Sequence, residues 1–289
     1  MKPAPFRYVA ARSVAEAVDA LARDRDEAKV LAGGQSLVPM LNMRLARPSV
    51  VVDINGASDL DYLEASDGAL AVGALLRQRR LERWAESRAP LIAEGLRCVG
   101  HWAIRTRGTV AGSIAHGDPA SELPALLLCL DGAVVARRAG GERLIPASEF
   151  YVAPLVTRLA PDELVTEVRF TLPRDDAGWG FAEVARRHGD FALVGAVALV
   201  WRGADGRVAG SRLAFFGVGP TPVRGGAAEA TLTGHEPTPA RLREASRAAA
   251  APLAPDADLH ATAEYRREVA AVLAERTLSA AVERCRRPA

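Results

Sequence analysis

The stretch KVLAGGQSLVPMLNMRLA, residues 29–46, decides the fold and points to a ligand. Its apolar start predicts a short strand, and its glycine pair predicts a turn that uses φ > 0. Ser36 is then the expected N-cap of a helix over 37–46. A helix that begins at such a turn directs N–H groups and a partial positive charge toward it. A pyrophosphate fits the turn, and Gln35 and Ser36 add polar groups. The alternative is that the glycines only end a strand.

A second segment of small residues follows at 105–124, with TVAGS at 109–113 as its glycine turn. Successive backbone N–H groups in such turns form concave anion sites. The segment also carries Asp118 and Glu122, which would suit sugar hydroxyls or an amide N–H as acceptors. The alternative is that Asp118 starts a turn and Ser121 caps a helix. Two such turns in one chain favour an extended nucleotide cofactor.

Several familiar site patterns are absent from the sequence. No GxGxxG follows a strand, and neither GxxxxGK[ST] nor GxSxG occurs. The five histidines are scattered, and the three cysteines form no CxxC pair. These spacings argue against a metal site or an iron–sulfur cluster in this chain. Cys98 and Cys129 lie in apolar patterns and are expected to be buried thiols.

The composition is that of a globular protein of about two domains. The chain has 289 residues, of which 49% are hydrophobic and 25% charged, and its net charge is +2. This charge gives no general attraction to nucleic acid or to an anionic membrane. The N-terminal residues show no signal peptide, and no apolar run reaches the roughly 20 residues of a membrane span. We therefore expect a cytoplasmic protein.

The turn-rich stretch 173–180 is the best domain boundary. It divides the chain into a first domain over 1–176, with subdomains at about 1–55 and 56–176, and a C-terminal domain over 177–289. The first subdomain reads as helix–strand–helix–strand, with Ser13 as the N-cap of its first helix. Strands dominate after the boundary, and a long helix is expected over 263–286.

Five ordered segments resemble the FAD-binding medium subunit of the molybdenum hydroxylases, the family that includes carbon monoxide dehydrogenase and xanthine dehydrogenase. These segments are residues 32–55, 104–132, 161–173, 185–200 and 217–225. The resemblance covers nearly the whole chain. It implies an α+β fold, with a two-subdomain FAD-binding domain of the vanillyl-alcohol-oxidase/PCMH-like type. A small C-terminal α+β domain with a three-stranded sheet would follow.

The resemblance also implies which residues contact FAD. Residues 31–38 would hold the pyrophosphate, while residues 109–113 and Glu122 would hold the flavin and ribityl or ribose groups. Val99, Val165 and Ala182 match further contact positions. With Asp118, the expected cofactor-binding residues are Leu31, Ala32, Gly33, Gly34, Gln35, Ser36, Leu37, Val38, Val99, Thr109, Val110, Ala111, Gly112, Ser113, Asp118, Glu122, Val165 and Ala182.

The resemblance further implies the role of the chain in a complex. A large subunit with the molybdenum cofactor would hydroxylate the substrate. A small subunit would pass electrons through two-iron two-sulfur clusters to FAD on this chain and then to an external acceptor. The complex would be a heterotrimer that doubles to a heterohexamer. No catalytic acid–base residue and no metal ligand are expected here, because the isoalloxazine supplies the chemistry.

Two departures from the family pattern leave alternatives open. Ala111 stands where a glycine is usual, and Glu183 lies in the segment where a lysine often precedes the arginine pair 186–187. A cationic contact to FAD would then be missing. One alternative is a stand-alone FAD oxidoreductase with its own substrate, and another is a degenerate flavin domain that only docks partners.

Overall fold

The computed structural model describes residues 1–285 and begins with a small parallel sheet. Its strands are β1 (Arg7–Ala10), β2 (Ala28–Leu31) and β3 (Val50–Asp53), arranged in the order β1-β3-β2. The valines of β3 are buried, because helices and loops cover both faces of this central strand. The helix α1 (Val14–Asp24) connects β1 to β2. The sheet brings the carboxyl end of β2 next to that of β3.

The two helices of this sheet differ in how well the sequence predicted them. Ser13 caps α1 as predicted, since its hydroxyl accepts from the Glu16 N–H at 3.2 Å. After β2 the chain turns into α2 (Leu37–Asn42), which has six residues and ends well before the predicted residue 46. Arg44 adopts φ of +57°, a left-handed conformation that ends the helix. The helix prediction was therefore too long, and α2 contributes little dipole.

An antiparallel sheet of five strands follows in the chain. The strands are β4 (Leu63–Ser66), β5 (Ala69–Gly73), β6 (Ala133–Arg138), β7 (Gly141–Pro146), β8 (Tyr151–Ala153), β9 (Val156–Thr157) and β10 (Leu164–Thr171). The order in the sheet is β4-β5-β10-β6-β7, and a separate ribbon pairs β8 with β9. The Gly140-Gly141 pair predicts a hairpin from sequence alone, and the β6–β7 hairpin confirms it, because Gly140 turns the chain with φ of +88°.

Six helices accompany this sheet, and α7 is the most buried of them. They are α3 (Gln78–Arg88), α4 (Pro90–Cys98), α5 (Trp102–Arg107), α6 (Val110–His116), α7 (Glu122–Cys129) and α8 (Ala147–Phe150). Every residue of α7 is buried, so this helix is packed on all sides. Of the two thiols expected to be buried, Cys129 is buried, with its Sγ 3.6 Å from the Val197 carbonyl oxygen, whereas Cys98 at the end of α4 is only partly buried.

The C-terminal part is an antiparallel sheet with helices on one face. Three long strands, β11 (Gly178–Ala185), β12 (Ala192–Arg202) and β13 (Val208–Phe216), are joined by the two-residue β14 (Val223–Arg224). The helices are α9 (Gly226–Leu232), α10 (Pro239–Ala250) and α11 (Ala263–Arg284). The last residue of the predicted helix, Arg286, lies outside the described residues. The proposed domain limits at 55 and 176 stay a prediction.

Strand β11 separates two hydrophobic cores. A Cβ on Gly178 would lie 1.8 Å from the Ala281 carbonyl oxygen, so α11 crosses this face of β11 at backbone distance. Phe181, on the other face, packs into the core of the N-terminal part of the chain. Because side chains alternate along a strand, Glu183 points the same way as Phe181. The C-terminal sheet therefore packs against the N-terminal part.

Within residues 1–285, no helix combines the length and the apolar character that a membrane crossing requires.

Candidate functional site

The first glycine turn is an array of unused backbone donors. Gly34 adopts φ of +72°, as the sequence predicts for this turn. Among residues 1–285, no protein acceptor bonds to the backbone N–H groups of residues 33–36. The Gln35 side chain steadies the turn by donating to the Gly33 carbonyl oxygen at 3.1 Å, whereas the Ser36 hydroxyl makes no capping bond with a described residue. Half-buried donors in this arrangement suit an anion.

The two glycine turns lie against each other. A Cβ on Gly33 would sit 2.5 Å from the Arg107 carbonyl oxygen and 2.8 Å from the Gly108 Cα. Both distances are too short for any side chain, so glycine is required by the contact between the turns. The two segments that the sequence singled out separately are therefore in direct contact. The space that they border, between residues 33–36 and 109–113, is called the cleft below.

A clamp formed by Asn55 and Arg77 holds the two turns together. The Asn55 amide donates to the Ala32 carbonyl oxygen at 2.8 Å and accepts from the Arg77 guanidinium at 2.7 Å. Arg77 also donates to the Arg107 carbonyl oxygen at 2.6 Å. Partial burial, followed by the charge of Arg107, lowers the pKa of Arg77. Sequence reasoning missed this clamp, since Asn55 looked like an ordinary turn residue and Arg77 lies 22 residues further on.

The second glycine turn begins a helix that the sequence did not predict. Thr109 caps α6, with its hydroxyl accepting from the Gly112 N–H at 3.0 Å. Ser121 stands at the N-cap position of α7 without capping it, and its hydroxyl lies 3.1 Å from that of Ser113. The second glycine turn is therefore shaped by one side-chain cap, that of Thr109, whereas the first glycine turn has none.

Asp118 has a structural role in the same segment. Its Oδ1 accepts from the Ala120 N–H at 2.9 Å, which is the turn-forming alternative considered for this residue. The contact of Asp118 with the cofactor stays a prediction, and it would use the other carboxylate oxygen, Oδ2.

Glu122 is a buried acid without a protein partner. It begins α7 and is only 5% exposed. No hydrogen bond joins its carboxyl group to another described residue, since only its own backbone N–H lies in reach. Burial, the largest cause, acts together with the charges of Glu183 and Asp118 to raise the pKa of Glu122 to about 8, although its own backbone N–H and the charge of Arg105 oppose the rise. A buried acid of this kind needs a bonding partner, such as a ligand hydroxyl.

The remaining predicted contact residues divide between the cleft and the cores. Val99, at the end of α4, accepts a hydrogen bond on its carbonyl oxygen from Arg105 at 2.9 Å. Val38 is largely exposed beside the first turn, whereas Ala111 is buried. The Val165 side chain packs into the same hydrophobic core as Val110 and Ala111 of the second turn, whereas that of Ala182 packs against the C-terminal core. The contacts expected of these two residues with a cofactor stay predictions.

Two family models together match most of the chain. The model described as the FAD binding domain in molybdopterin dehydrogenase matches residues 4–174. The model described as the CO dehydrogenase flavoprotein C-terminal domain matches residues 179–281. The chain belongs to this family of FAD-binding subunits of molybdopterin dehydrogenases.

Similar proteins with the same two-part organisation come from several bacteria. The 6-hydroxypseudooxynicotine dehydrogenase complex subunit alpha of Paenarthrobacter nicotinovorans is 40% identical over 99% of this chain and 97% of its own length. The nicotine 6-hydroxylase medium subunit of the same organism is 39% identical over 96% and 98%. The solved carbon monoxide dehydrogenase of Hydrogenophaga pseudoflava superposes with a TM-score of 0.95 at 34% identity, covering 99% of this chain and all of that one.

The particular role follows from the family and from these likenesses. The chain is the FAD-carrying medium subunit of a heteromeric molybdenum hydroxylase, and it is part of an oxidoreductase. The names of two similar solved carbon monoxide dehydrogenases refer to molybdenum. Of the alternatives left open by the sequence, the stand-alone oxidoreductase and the docking scaffold are both set aside by this membership.

Proposed function

We propose that the cleft between the two glycine turns holds FAD, with the pyrophosphate on the N–H groups of residues 33–36. The observation that supports this assignment most directly is the set of four N–H groups without a protein acceptor. Their arrangement in a half-buried turn supplies donors in number and direction for two phosphate groups. Gln35 and Ser36 contribute polar side chains at the same place.

The second turn would bind the sugar alcohols and the flavin of the same cofactor. Glu122 offers two acceptor oxygens in a buried position, which suits hydroxyl groups of the ribityl chain or ribose. Residues 109–113 present a backbone that their small side chains leave accessible. The other expected contacts are proposed to line the cofactor; they are Leu31, Ala32, Leu37, Val38, Val99, Asp118, Val165 and Ala182.

Bound FAD supplies a centre that accepts two electrons and passes them on, and the residues of this chain position it. The Asn55–Arg77 clamp keeps the two turns at a fixed spacing. The buried carboxyl groups near α7 set the polarity of the cleft. In this proposal no residue of the chain acts as a general acid or base toward the hydroxylated substrate.

The proposed partners are a small iron–sulfur subunit that delivers electrons, a large molybdenum subunit and an external acceptor. The similar proteins support this assembly, because they are themselves named as subunits or chains of larger dehydrogenases. We propose a heterotrimer that doubles to a heterohexamer and works in the cytoplasm.

A pair of glycine substitutions tests the proposed site. Gly34→Asp places a carboxylate in the donor turn, whereas Gly68→Asp places one in the β4–β5 hairpin, where Gly68 has φ of +74° and open space around it. Both glycines are left-handed, so the two variants carry similar backbone strain. We expect Gly34→Asp to lose FAD and Gly68→Asp to keep it, measured as flavin released per folded chain. Equal FAD content in both variants would contradict the proposed pyrophosphate site.

The electron-transfer role needs a second measurement. The reduced iron–sulfur subunit is mixed in a stopped-flow instrument with this chain, and reoxidation of the clusters is followed by their visible absorbance. Rapid reoxidation by the FAD-loaded wild type and none by Gly34→Asp is the expected result. Reoxidation at the same rate by both chains would show that the electrons bypass this site.

A further inference from the structure

Glu183 reaches the FAD-binding region from the C-terminal sheet. The glycines of β11 face α11, and Phe181 on the opposite face lies 3.1 Å from where a Cβ on Gly95 of α4 would stand. Glu183 follows Phe181 by two residues and shares its face. A carboxyl group of one domain is thereby placed at the surface of the other.

At this junction the Glu183 carboxyl group interacts with the Cys98 thiol and with the Glu122 carboxyl group. The Oε2 atom of Glu183 is shielded from solvent and has no hydrogen-bond partner among the described residues. The Cys98 thiol of α4 lies within hydrogen-bonding reach of the Glu183 carboxyl group. Glu122, the buried acid of the cleft, interacts electrostatically with both. Glu122 is buried and Glu183 is half-buried. Two such neighbouring carboxyl groups disfavour a doubly charged state, because the second charge meets both the loss of solvent and the first charge.

Within residues 1–285, no cation forms an ion pair with either of these two carboxyl groups. Arg105, whose charge reaches Glu122, is bound to Glu82 at 2.9 Å and to the carbonyl oxygens that follow α4. Asp118 faces Glu122 with another negative charge, and Glu94 on α4 adds a half-exposed one beside Cys98. The groups that surround the two acids thus favour retention of a proton.

We infer that Glu122 and Glu183 form a carboxyl pair across the domain junction that binds FAD in a protonated state, so that FAD binding takes up a proton from solvent. The inference rests on the proposed FAD site. Binding brings an anionic cofactor against the pair and removes water from it, and both effects disfavour a second carboxylate charge. The proton moves from solvent to a carboxylate oxygen, and no covalent bond of the cofactor changes. A neutral acid can then donate to an acceptor atom of FAD.

The titration behaviour of the pair agrees with this geometry. Burial raises the pKa of Glu183 to about 7 and that of Glu122 to about 8. Near neutral pH the pair is therefore partly ionised before FAD arrives. Because the bound form keeps the proton, the Kd for FAD rises with pH above this range, approaching about tenfold per pH unit when one proton is taken up.

Calorimetry of FAD binding to the cofactor-depleted full chain tests the inference. Titrations near pH 9, where both carboxyl groups of the cofactor-depleted chain are mostly ionised, are run in buffers of different ionisation enthalpy and give the number of protons taken up. Wild type is expected to take up a substantial fraction of one proton. Glu183→Gln keeps the shape and a donor amide, so we expect it to bind FAD with little proton uptake and a flatter pH profile. The matched control, Glu94→Gln, removes an exposed acid near the same thiol and should behave as wild type.

The outcomes separate the two proposals. Wild-type FAD binding without proton uptake, or equal uptake by wild type and Glu183→Gln, overturns this inference while the FAD site stands. A folded wild type that binds no FAD contradicts both. A second readout is the infrared band of protonated carboxyl groups in the cofactor-depleted wild type, which should be present at pH 6.5 and lost by pH 9. Absence of this infrared band at pH 6.5 would also contradict the inferred carboxyl pair.

Discussion

Replacing Gly33 with alanine should push the two cofactor-binding turns apart. The new Cβ would lie 2.5 Å from the Arg107 carbonyl oxygen, whereas ordinary contact begins at 3.4 Å. The turns must then separate by about 0.9 Å, the difference between these distances. The obstructing atoms belong to the backbone, so no side-chain rotation relieves them. Overpacking of this kind costs about 1–3 kcal/mol.

Most of this cost should appear in FAD affinity. Without FAD the turns can relax apart, but the bound cofactor requires both at their original spacing. A loss of about 1–3 kcal/mol corresponds to a Kd about 5- to 150-fold weaker. Fluorescence titration of the cofactor-depleted chain with FAD measures the Kd, and thermal unfolding checks the fold. Gly226→Ala is the matched control, because a Cβ there meets open space and the φ angle is ordinary.

The refuting result is specific. If Gly33→Ala binds FAD with the wild-type Kd and unfolds at the wild-type temperature, the contact between the turns does not organise the site. A variant with unchanged affinity but lower stability would place the strain in the fold instead, which also contradicts the reasoning.

Three further substitutions test other parts of the account. Arg77→Ala removes the bonds of the clamp to Asn55 and Arg107, worth about 1.5–3 kcal/mol, so titration should show FAD binding weakened about tenfold or more. In the cofactor-depleted chain, the raised pKa of Glu122 means that unfolding releases a proton. The free energy of unfolding should therefore fall as the pH rises from about 5 to about 8. The slope is at most about 1.4 kcal/mol per pH unit for this group, and Glu122→Gln should flatten it in denaturant titrations; an unchanged slope would exclude Glu122 as its source. Gly178→Ala should lower the unfolding temperature strongly, since its Cβ would overlap α11, and a wild-type melting curve would mean that α11 does not cross β11 so closely.

The parts of the fold and of the site that the sequence predicted are formed by residues close together in the chain. The glycine turn at 33–34, the cap at Ser13 and the β6–β7 hairpin each depend on a few neighbouring residues with strong conformational preferences. Such preferences can be inferred from the sequence of one short segment. They also allowed the helix after the first turn to be placed, although the left-handed Arg44 ended it earlier than its apolar pattern suggested.

The parts that sequence reasoning missed depend on contacts between distant segments. Asn55 and Arg77 act on turns that lie far from them in the chain, and neither residue type signals a clamp. The contact between Gly33 and Arg107 also joins segments more than seventy residues apart. In the sequence, Glu183 indicated only that a cationic contact to FAD was missing, whereas the fold places it beside Glu122 and Cys98. Only tertiary structure brings these groups together.

The visible absorption spectrum of the purified chain, with the released cofactor identified after heat denaturation, tests the central claim most directly. The account predicts a flavin spectrum and release of FAD at about one equivalent per chain, as expected for a single cleft formed by the two turns. A chain that is folded by circular dichroism, colourless, and still empty after incubation with FAD would contradict it.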